Sequence, residues 1–292
     1  MPGKLLIIWD FDTAIGQINS TMPYNFRYDP IYEEIENVDY ILNRAHIEDI
    51  RMTFACVGFA GESGVFPFNI PDIISKISIR GHEIASHSWK HEWFPYLNEK
   101  QIYRSLERSK QTLESCLGPG EKVSGFVPPH SRPMSWLKKY SVSLGDRGLY
   151  PFHKGSDIGY IIKELGKLNY RWCRVLPKYK PVWEKIKGNQ SDDSVFFPVW
   201  ETHDNIVCVP SHYNGFDKAA IDFVKEAVKR NETAVISGHP AGLSRDKEES
   251  REYFDRFIDK AVQLRDVEGL EILTVQEHIL KNLSLTEKKT EN

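Results

Sequence analysis

Short apolar runs rich in β-branched residues alternate with amphipathic stretches along most of the chain. The runs predict strands at 5–10, 52–57, 83–86, 123–127, 141–144, 206–210, 234–237 and 270–274. Helices are predicted between them at 30–45, 70–79, 99–117, 159–168, 218–230 and 247–264. Asn98 and Asp217 stand where they can cap two of these helices, and Gly118-Pro119 can end the first of the two. Such alternation is typical of an α/β fold with a mostly parallel sheet, open or closed into a barrel.

The composition excludes several classes of partner and location. A net charge of −3 over 292 residues gives no reason to expect a nucleic-acid partner. No apolar stretch approaches the roughly 18 residues that span a bilayer, and the first apolar run is too short for a signal peptide. The four cysteines form no Cys-x-x-Cys pair, so we expect reduced and mostly buried thiols. Together these features predict a cytoplasmic protein without a transmembrane segment.

The domain organisation is predicted as a single unit with one irregular part. We expect one catalytic domain over 1–283 and a polar, frayed tail over 284–292. The segment 145–200 is rich in Lys, Tyr, Pro and Gly and breaks the alternation of strands and helices. It is either an insertion with long loops near a functional site or a solvated surface segment.

Chemically reactive side chains follow several of the predicted strands directly. In parallel α/β folds the C-terminal ends of the strands meet at one edge, where functional sites form. Side chains that are far apart in sequence should therefore converge there. The candidates are Asp10, Asp12, His87, His91, Pro128, Pro129, His130 and His239.

The two pairs Asp10/Asp12 and His87/His91 together predict a metal site. Aspartates two residues apart on a strand point to the same side, and histidines four residues apart can reach one ion. The pairs supply three ligands and one spare carboxylate, which is what a hydrolytic metal site needs. Each pair alone has a structural alternative, such as local hydrogen bonding or a place on the solvated surface. Their joint occurrence at strand ends favours a metal-dependent hydrolase.

A rival interpretation starts from the same aspartates. Asp10-Phe11-Asp12 also resembles the start of haloacid-dehalogenase-like phosphotransferases. That family expects Thr or Val two residues after the second Asp, where this chain has Ala14. It also makes no use of a His-x-x-x-His after a later strand, so we rank it below the metal hydrolase.

Four motifs resemble those of the polysaccharide deacetylase family, also called the NodB-homology or carbohydrate esterase 4 family. His87-Ser88-Trp89-Lys90-His91, preceded by Arg80-Gly81-His82-Glu83-Ile84-Ala85-Ser86, is very similar to the second motif, with its core His-[Ser/Thr]-x-x-His. Asp10-Phe11-Asp12 is similar to the first motif, Gly125-Phe126-Val127-Pro128-Pro129-His130 to the third, and Ser237-Gly238-His239-Pro240 to the last. The segment 269–278 resembles the closing strand with its Thr-x-x-Glu. The resemblance covers most of the chain and is weakest over 145–200.

The resemblance implies a distorted (β/α)7-8 barrel of the NodB type and a hydrolase of non-peptide C–N bonds. The expected reaction is deacetylation of an N-acetylated amino sugar during the synthesis of a surface polysaccharide or glycoconjugate. A cytosolic enzyme meets small-molecule or lipid-linked sugars rather than finished wall polymer. The family roles transfer as follows: Asp12, His87 and His91 hold a divalent metal, Asp10 is the base, His239 protonates the leaving amine, and Pro128, Pro129 and His130 contact substrate. Zinc is the first choice of metal, with Co²⁺, Ni²⁺, Fe²⁺ and Mn²⁺ as alternatives.

The third motif departs from the family at one position. Val127 replaces the arginine that normally pairs with the catalytic aspartate. Without that partner Asp10 should be a stronger but less firmly oriented base, unless Arg132 or Arg147 substitutes. The departure leaves two alternatives open: a hydrolase of another C–N bond, such as a cyclic imide or formamide, and a non-catalytic sugar-binding relative. The three retained metal-ligand positions argue against a metal-free type.

Overall fold

A curled, mostly parallel sheet forms the centre of the protein. The computed structural model describes residues 2–20, 27–131, 158–175, 197–198, 200–245 and 247–290. Within these residues the strands are β1 Lys4–Phe11, β2 Thr53–Cys56, β3 Glu83–Ser86, β4 Gly125–Phe126, β5 Trp172–Arg174, β6 Glu201–His203, β7 Ile206–Val209, β8 Tyr213–Asn214, β9 Thr233–Gly238 and β10 Glu271–Leu273. They pair in the order β6-β7-β5-β4-β3-β2-β1-β9-β8, and β10 also pairs with β1. The β6–β7 pair is antiparallel, and the other pairs described are parallel.

Helices connect the strands and cover the outer side of the sheet. They are α1 Thr13–Ser20, α2 Asp29–Ile47, α3 Pro71–Ile79, α4 Glu99–Ser115, α5 Ile158–Lys167, α6 Lys218–Arg230, α7 Arg251–Glu268 and α8 Val275–Thr290. Among the described residues no helix has the length and apolarity that crossing a membrane requires.

Strand β1 pairs with β2, β9 and β10 and contributes to two hydrophobic layers. It is buried along its whole length. Leu5 and Ile7 belong to the large outer layer between the sheet and the helices. Leu6 and Ile8 belong to a smaller layer enclosed by the curled sheet. Because side chains alternate along a strand, Asp10 follows Leu6 and Ile8 on the enclosed side, at the end of the barrel where the strands finish.

A buried carboxylate closes the opposite end of the enclosed layer. Glu83 Oε1 accepts a hydrogen bond from the indole of Trp172 at 2.8 Å. Its Oε2 accepts from the hydroxyl of Thr53 at 2.8 Å and from the backbone N–H of Gln276 at 3.0 Å. These donors come from β5, β2 and the first turn of α8, so one side chain ties the two halves of the sheet to the last helix. A buried charge of this kind is tolerated because its oxygens are satisfied.

Most predicted elements are present, with shifted ends. Asn98 forms a reciprocal capping box with Gln101 at the start of α4, and Asp217 accepts from two backbone N–H groups at the start of α6. Helix α4 ends at Ser115, before Gly118. The described cysteines are free thiols, three of them buried.

Five of the described elements were not predicted. They are strands β5, β6 and β8 and helices α1 and α8. The strand predicted at 141–144 lies outside the described residues. Helix α8 continues to Thr290, into the segment predicted as a polar tail. The sequence there is rich in Leu, Lys and Glu and contains no Gly or Pro, so nothing in it ends the helix.

Candidate active site

Three of the predicted ligands converge at the C-terminal end of the sheet. One ligand atom from each of Asp12, His87 and His91 lies within 4.8 Å of the others. Asp12 Oδ1 is 3.4 Å from His87 Nε2 and 3.2 Å from His91 Nε2. Asp12 follows β1, and the histidines follow β3, as the strand-end argument predicted.

The imidazole rings are oriented so that their Nε2 atoms face Asp12. His87 Nδ1 lies 2.7 Å from the carbonyl oxygen of Val127. A carbonyl only accepts, so Nδ1 carries the hydrogen and the Nε2 of the neutral ring presents a lone pair. His91 Nδ1 lies 3.3 Å from Ser20 Oγ, which holds that ring from the end of α1.

The charge on Asp12 suits a cation. Burial raises the pKa of its carboxyl, but the neighbouring imidazoles outweigh burial and hold the pKa well below its ordinary value. Within the part of the chain that is described, Asp12 Oδ1 is buried and receives no hydrogen bond. A buried carboxylate oxygen that faces the Nε2 atoms of two imidazoles is the donor set that a divalent transition metal fits.

Several backbone positions around this group are strained. Thr13, Ser88, His91 and His130 are non-glycine residues with φ of 60°, 67°, 57° and 54°. Each costs about 1–3 kcal/mol. Ser88 is also tied by a 2.7 Å hydrogen bond from its hydroxyl to Glu92, which fixes the loop. Strain concentrated in the loops that carry the ligands indicates that ligand geometry rather than stability shaped them.

Asp10 has a buried arginine partner that the sequence did not reveal. Arg174 donates from Nη1 to Oδ1 at 2.7 Å and from Nη2 to Oδ2 at 2.5 Å. Asp10 and Arg174 are each 7% exposed. Burial raises the pKa of Asp10, but Arg174, with smaller effects of His87 and His239, lowers it below its ordinary value. The expectation that Asp10 would lack an arginine partner is therefore wrong. Arg132 and Arg147, considered as substitutes, lie outside the described residues.

Arg174 stands at the level of the sheet where the family arginine is expected. Strands β4 and β5 pair in parallel, with Gly125 opposite Trp172 and Phe126 opposite Cys173. One step further along this register places Val127 beside Arg174. The arginine has thus moved to the neighbouring strand at the same height, where it still reaches Asp10.

His239 lies on the other side of Asp10 and is held by Glu249. Its Nδ1 is 3.1 Å from Glu249 Oε1, and its backbone N–H donates to Oε2 at 3.1 Å. Its Nε2 is 4.0 Å from Asp10 Oδ2. Burial alone would lower the pKa of His239, but the hydrogen bond to Glu249 and the carboxylates of Asp12 and Asp10 raise it to about 10. His239 is therefore an imidazolium at neutral pH.

The third-motif segment borders the metal group. The ring of His130 packs 4.3 Å from that of His91 between centroids. Val127 N–H donates to Ser86 O at 2.9 Å, and Pro128 and Pro129 have no N–H. The first backbone N–H after Val127 is therefore that of His130, whose left-handed φ redirects the chain at this point.

Two functional side chains escaped the sequence analysis for different reasons. Arg174 ends a β-rich run, Trp172-Cys173-Arg174, and the strand-end argument would have included it if β5 had been recognised. Glu249 lies in a 3-10 turn, Lys247–Glu249, away from any strand end. No sequence signal marked it.

Comparisons with known proteins point to the family that the motifs resemble. The sequence profile of the polysaccharide deacetylase family matches residues 27–147. Chitin deacetylase 1 of Saccharomyces cerevisiae is 29% identical over 85 residues, a stretch that covers 28% of this chain and 28% of the yeast protein. These matches confirm the predicted resemblance to the polysaccharide deacetylases.

Solved structures confirm the fold class. A candidate polysaccharide deacetylase from Mycobacterium smegmatis aligns with a TM-score of 0.64 at 15% identity, covering 98% of this chain and 92% of that one. A carbohydrate esterase 4 pseudoenzyme from Bacillus anthracis aligns with a TM-score of 0.49 at 13% identity, covering 94% of this chain and 65% of that one. The alignment with the Mycobacterium smegmatis structure confirms that the curled sheet is of the NodB type that the sequence predicted.

Proposed function

We propose that this relative of the polysaccharide deacetylases is a metal-dependent amide hydrolase that removes the acetyl group from an N-acetylated amino sugar. One observation carries the proposal. Asp12, His87 and His91 converge, and the ionised Asp10 and the protonated His239 lie beside them. A hydrolytic centre needs a ligand set, a base and an acid within reach of one substrate bond.

Asp12, His87 and His91 would hold a divalent cation, with zinc the first choice for two imidazoles and one carboxylate. A bound cation of this kind lowers the pKa of water from 15.7 towards about 7 and polarises a carbonyl oxygen. Their oriented Nε2 atoms and the low pKa of Asp12 mean that these three residues need little rearrangement or deprotonation to bind it.

Asp10 is the base in this proposal. Its carboxylate stays ionised at neutral pH, so it can take a proton from water that attacks the acetyl carbonyl. The bidentate contact with Arg174 fixes the plane of the carboxylate and removes the expectation of a loosely oriented base. It also removes the main reason for considering a non-catalytic sugar-binding relative.

His239 is the acid. With its pKa raised to about 10, it holds a proton on Nε2 for the nitrogen that leaves as the C–N bond breaks. Glu249 holds Nδ1 and so fixes which nitrogen faces the substrate. The acid and the base thus lie side by side, with Nε2 at 4.0 Å from Asp10 Oδ2.

The His130 segment would stabilise charge on the reacting carbonyl. A developing oxyanion needs a donor fixed in place before reaction. Pro128 and Pro129 offer no N–H, and Val127 N–H is used by Ser86. We therefore assign this role to a backbone N–H of this segment, and we assign Pro128, Pro129 and His130 to the wall that contacts the substrate.

Acetate release from N-acetylated amino sugars tests the proposal. Metal-loaded wild-type protein should release acetate, and Asp10→Asn should lower kcat by about 10²–10⁴-fold while still binding metal. Metal binding by Asp10→Asn separates loss of the base from loss of the site. If metal-loaded wild type releases no acetate from any N-acetylated sugar but cleaves a cyclic imide or a formamide, the deacetylase proposal is wrong and another C–N hydrolase takes its place.

A further inference from the structure

The acid His239 and its partner Glu249 stand on two separate pieces of the chain. His239 directly precedes the 3-10 turn Pro240–Ser244, and Glu249 ends a second turn just before α7. Neither residue is part of a strand. The register of the sheet therefore does not set the distance between the acid and the carboxylate that holds it.

Asn37 of α2 contacts both pieces with one side-chain amide. Its Nδ2 donates to the carbonyl oxygen of Pro240, the residue after His239, at 2.8 Å. Its Oδ1 accepts from Nε and Nη2 of Arg251, which follows Glu249 closely at the start of α7, at 2.9 and 2.5 Å. The amide thus joins the chain beside the acid to the chain beside its partner.

An amide suits this place because it both donates and accepts. Asn37 is fully buried, and its Nδ2 also donates to Ser244 Oγ at 2.8 Å. Its two N–H groups and its two oxygen lone pairs are therefore all used. A carboxylate could not donate to Pro240, and an apolar side chain could form neither hydrogen bond. A buried amide with every hydrogen bond satisfied favours a single arrangement of its neighbours.

We propose that Asn37 is a positioning residue for the acid, because it sets the separation of His239 and Glu249 and so aims His239 Nε2 at the reacting bond. This inference rests on the proposed deacetylation. His239 Nδ1 lies 3.1 Å from Glu249 Oε1, and a shift of either piece by a few tenths of an ångström would weaken that contact. Asn37 acts through its neighbours and is not itself catalytic.

The pKa of His239 reports this separation. Burial lowers that pKa, and the hydrogen bond to Glu249 is the largest of the effects that raise it. The carboxylates of Asp12 and Asp10, at the end of β1, add smaller effects in the same direction. If the two pieces move apart, the pKa of His239 should therefore fall.

The test compares pH profiles of metal-loaded full-length variants. Asn37→Leu removes both hydrogen-bonding groups at nearly constant volume. Its kcat should fall by about 10–100-fold, because misplacement by about 1 Å can cost 100-fold, while KM and metal content stay at wild-type values. The basic limb of kcat/KM should move to lower pH.

Arg251→Met is the second variant, at an exposed position that does not threaten folding. It leaves Asn37 Oδ1 without its donors and should also move the basic limb to lower pH. Loss of the Arg251 cation alone would move that limb to higher pH. The direction of the shift therefore identifies a loss of positioning, and this variant decides the question if Asn37→Leu does not fold.

Tyr40→Phe is the matched control. Tyr40 lies about one turn from Asn37 on α2, and its hydroxyl donates to Asp255 on α7 at 2.5 Å. Phenylalanine keeps the ring that lies 4.7 Å from the Arg251 guanidinium and removes a hydrogen bond between the same two helices. Stability should fall, with kcat and the basic limb unchanged. A basic limb that moves equally in Tyr40→Phe, or does not move to lower pH in the two test variants, overturns the positioning role.

The imidazole NMR signals of His239 separate this inference from the deacetylase proposal. Assigned by their loss in His239→Ala, they report its titration in zinc-loaded protein whether or not acetate is released. Titration at lower pH in both test variants, without acetate release by any protein, supports the positioning role and contradicts the deacetylase. Acetate release by the wild type, with unchanged titration in both variants, overturns the positioning role and leaves the deacetylase. Absence of both acetate release and a shifted titration overturns both proposals.

Discussion

The guanidinium that contacts Asp10 comes from Arg174 on β5, whereas the family motif would place it at Val127, next to β4. They lie side by side on β5 and β4 by continuation of the strand register, and both point into the enclosed side of the sheet. A guanidinium from either strand could therefore reach Asp10. Sequence motifs record the strand on which a residue sits, whereas the chemistry depends only on where its end group lies, so the motif alone gave the wrong expectation for Asp10.

Removing Arg174 should lower both activity and stability. In Arg174→Met we expect kcat to fall by about 100-fold, because Asp10 loses its orientation. We expect the free energy of unfolding to fall by about 3–5 kcal/mol, because a buried carboxylate loses its partner. Since Arg174 lowers the pKa of Asp10, the acidic limb of the pH–rate profile should move to higher pH in this variant. Steady-state kinetics and urea unfolding measure these effects.

A swap of the two residues provides the matched control. Val127→Arg combined with Arg174→Val moves the guanidinium back to the strand that carries it in the family. Recovery of much of the lost kcat and stability would show that position rather than strand matters. A folded Arg174→Met with wild-type kcat would contradict the role assigned to Arg174.

The Glu249–His239 pair predicts a shift in the basic limb of the pH–rate profile. Glu249 helps to raise the pKa of His239 to about 10, and Glu249→Gln should let it fall towards the ordinary value of 6.5. Because the acid works only when protonated, activity should then be lost at lower pH than in the wild type. The dependence of kcat/KM on pH measures this, with Glu248→Gln, an exposed neighbour, as the control. An unmoved basic limb in Glu249→Gln would contradict the role of His239 as acid.

At the scale of elements, the packing of β4 against β5 depends on a glycine. A Cβ atom at Gly125 would meet the buried Trp172 ring at 2.0 Å. Trp172 and Arg174 are in the same three-residue strand. Space at Gly125 therefore determines where β5 lies and, through it, where the guanidinium reaches Asp10.

Gly125→Ala should lower both stability and activity. We expect the free energy of unfolding to fall by about 1–3 kcal/mol from overpacking, and kcat to fall because β5 must shift. Gly118→Ala is the control, since its new Cβ would meet only the flexible Glu121 side chain, at 3.0 Å. Thermal unfolding measures the stability of both variants, and the acetate assay measures their kcat. Loss of stability in Gly125→Ala with wild-type kcat would show that Arg174 tolerates the shift.

The elements that sequence could predict are those with a strong periodic signal. Long amphipathic helices such as α2 and α4 and the largely apolar β1 have such a signal, and they were predicted within a few residues. Strands β5 and β8 have three and two residues, too few for a periodic pattern. They are strands because their neighbours offer backbone partners. Helix α1 was missed because its eight residues, Thr13–Ser20, directly follow the motif that drew attention to Asp12.

At the scale of the whole molecule, a buried carboxyl links stability to pH. Glu34 on α2 is fully buried, and its Oε2 accepts from Gln17 at 2.6 Å. Burial and the nearby charge of Asp12 raise the pKa of Glu34 from 4.5 to about 8. Between these two values the folded chain keeps a proton that the unfolded chain has released. Stability contributed by this group is therefore present at low pH and is lost as pH rises towards 8.

Glu34→Gln should remove this dependence. In metal-free protein, we compare the free energy of unfolding of Glu34→Gln with that of the wild type at the same pH. The difference should change in favour of the variant by about 2–4 kcal/mol from pH 5 to pH 8. Urea unfolding at the two pH values measures the gain. Glu36→Gln, an exposed position on the same helix, should show none. An equal effect of Glu34→Gln at both pH values would contradict the raised pKa.

The residues of the site itself were more predictable from the sequence than the residues that hold them in place. The strand-end rule brought Asp10, Asp12, His87, His91 and His239 to one edge of the sheet, because parallel strands fix where their ends lie. Glu249 depends on the turn Lys247–Glu249, whose path is set by packing of distant segments, and no local pattern encodes that path. The single domain predicted over 1–283, the cytoplasmic location and the role in biosynthesis remain predictions.

Metal content is the most direct test of the central claim. Elemental analysis of untagged wild-type protein, after incubation with zinc and removal of the excess, should find about one divalent ion per chain. The double variant His87→Ala, His91→Ala, treated in the same way, should retain almost none. Little metal in the wild type, or equal metal in both proteins, would contradict the site formed by Asp12, His87 and His91 and with it the proposed metal-dependent deacetylation.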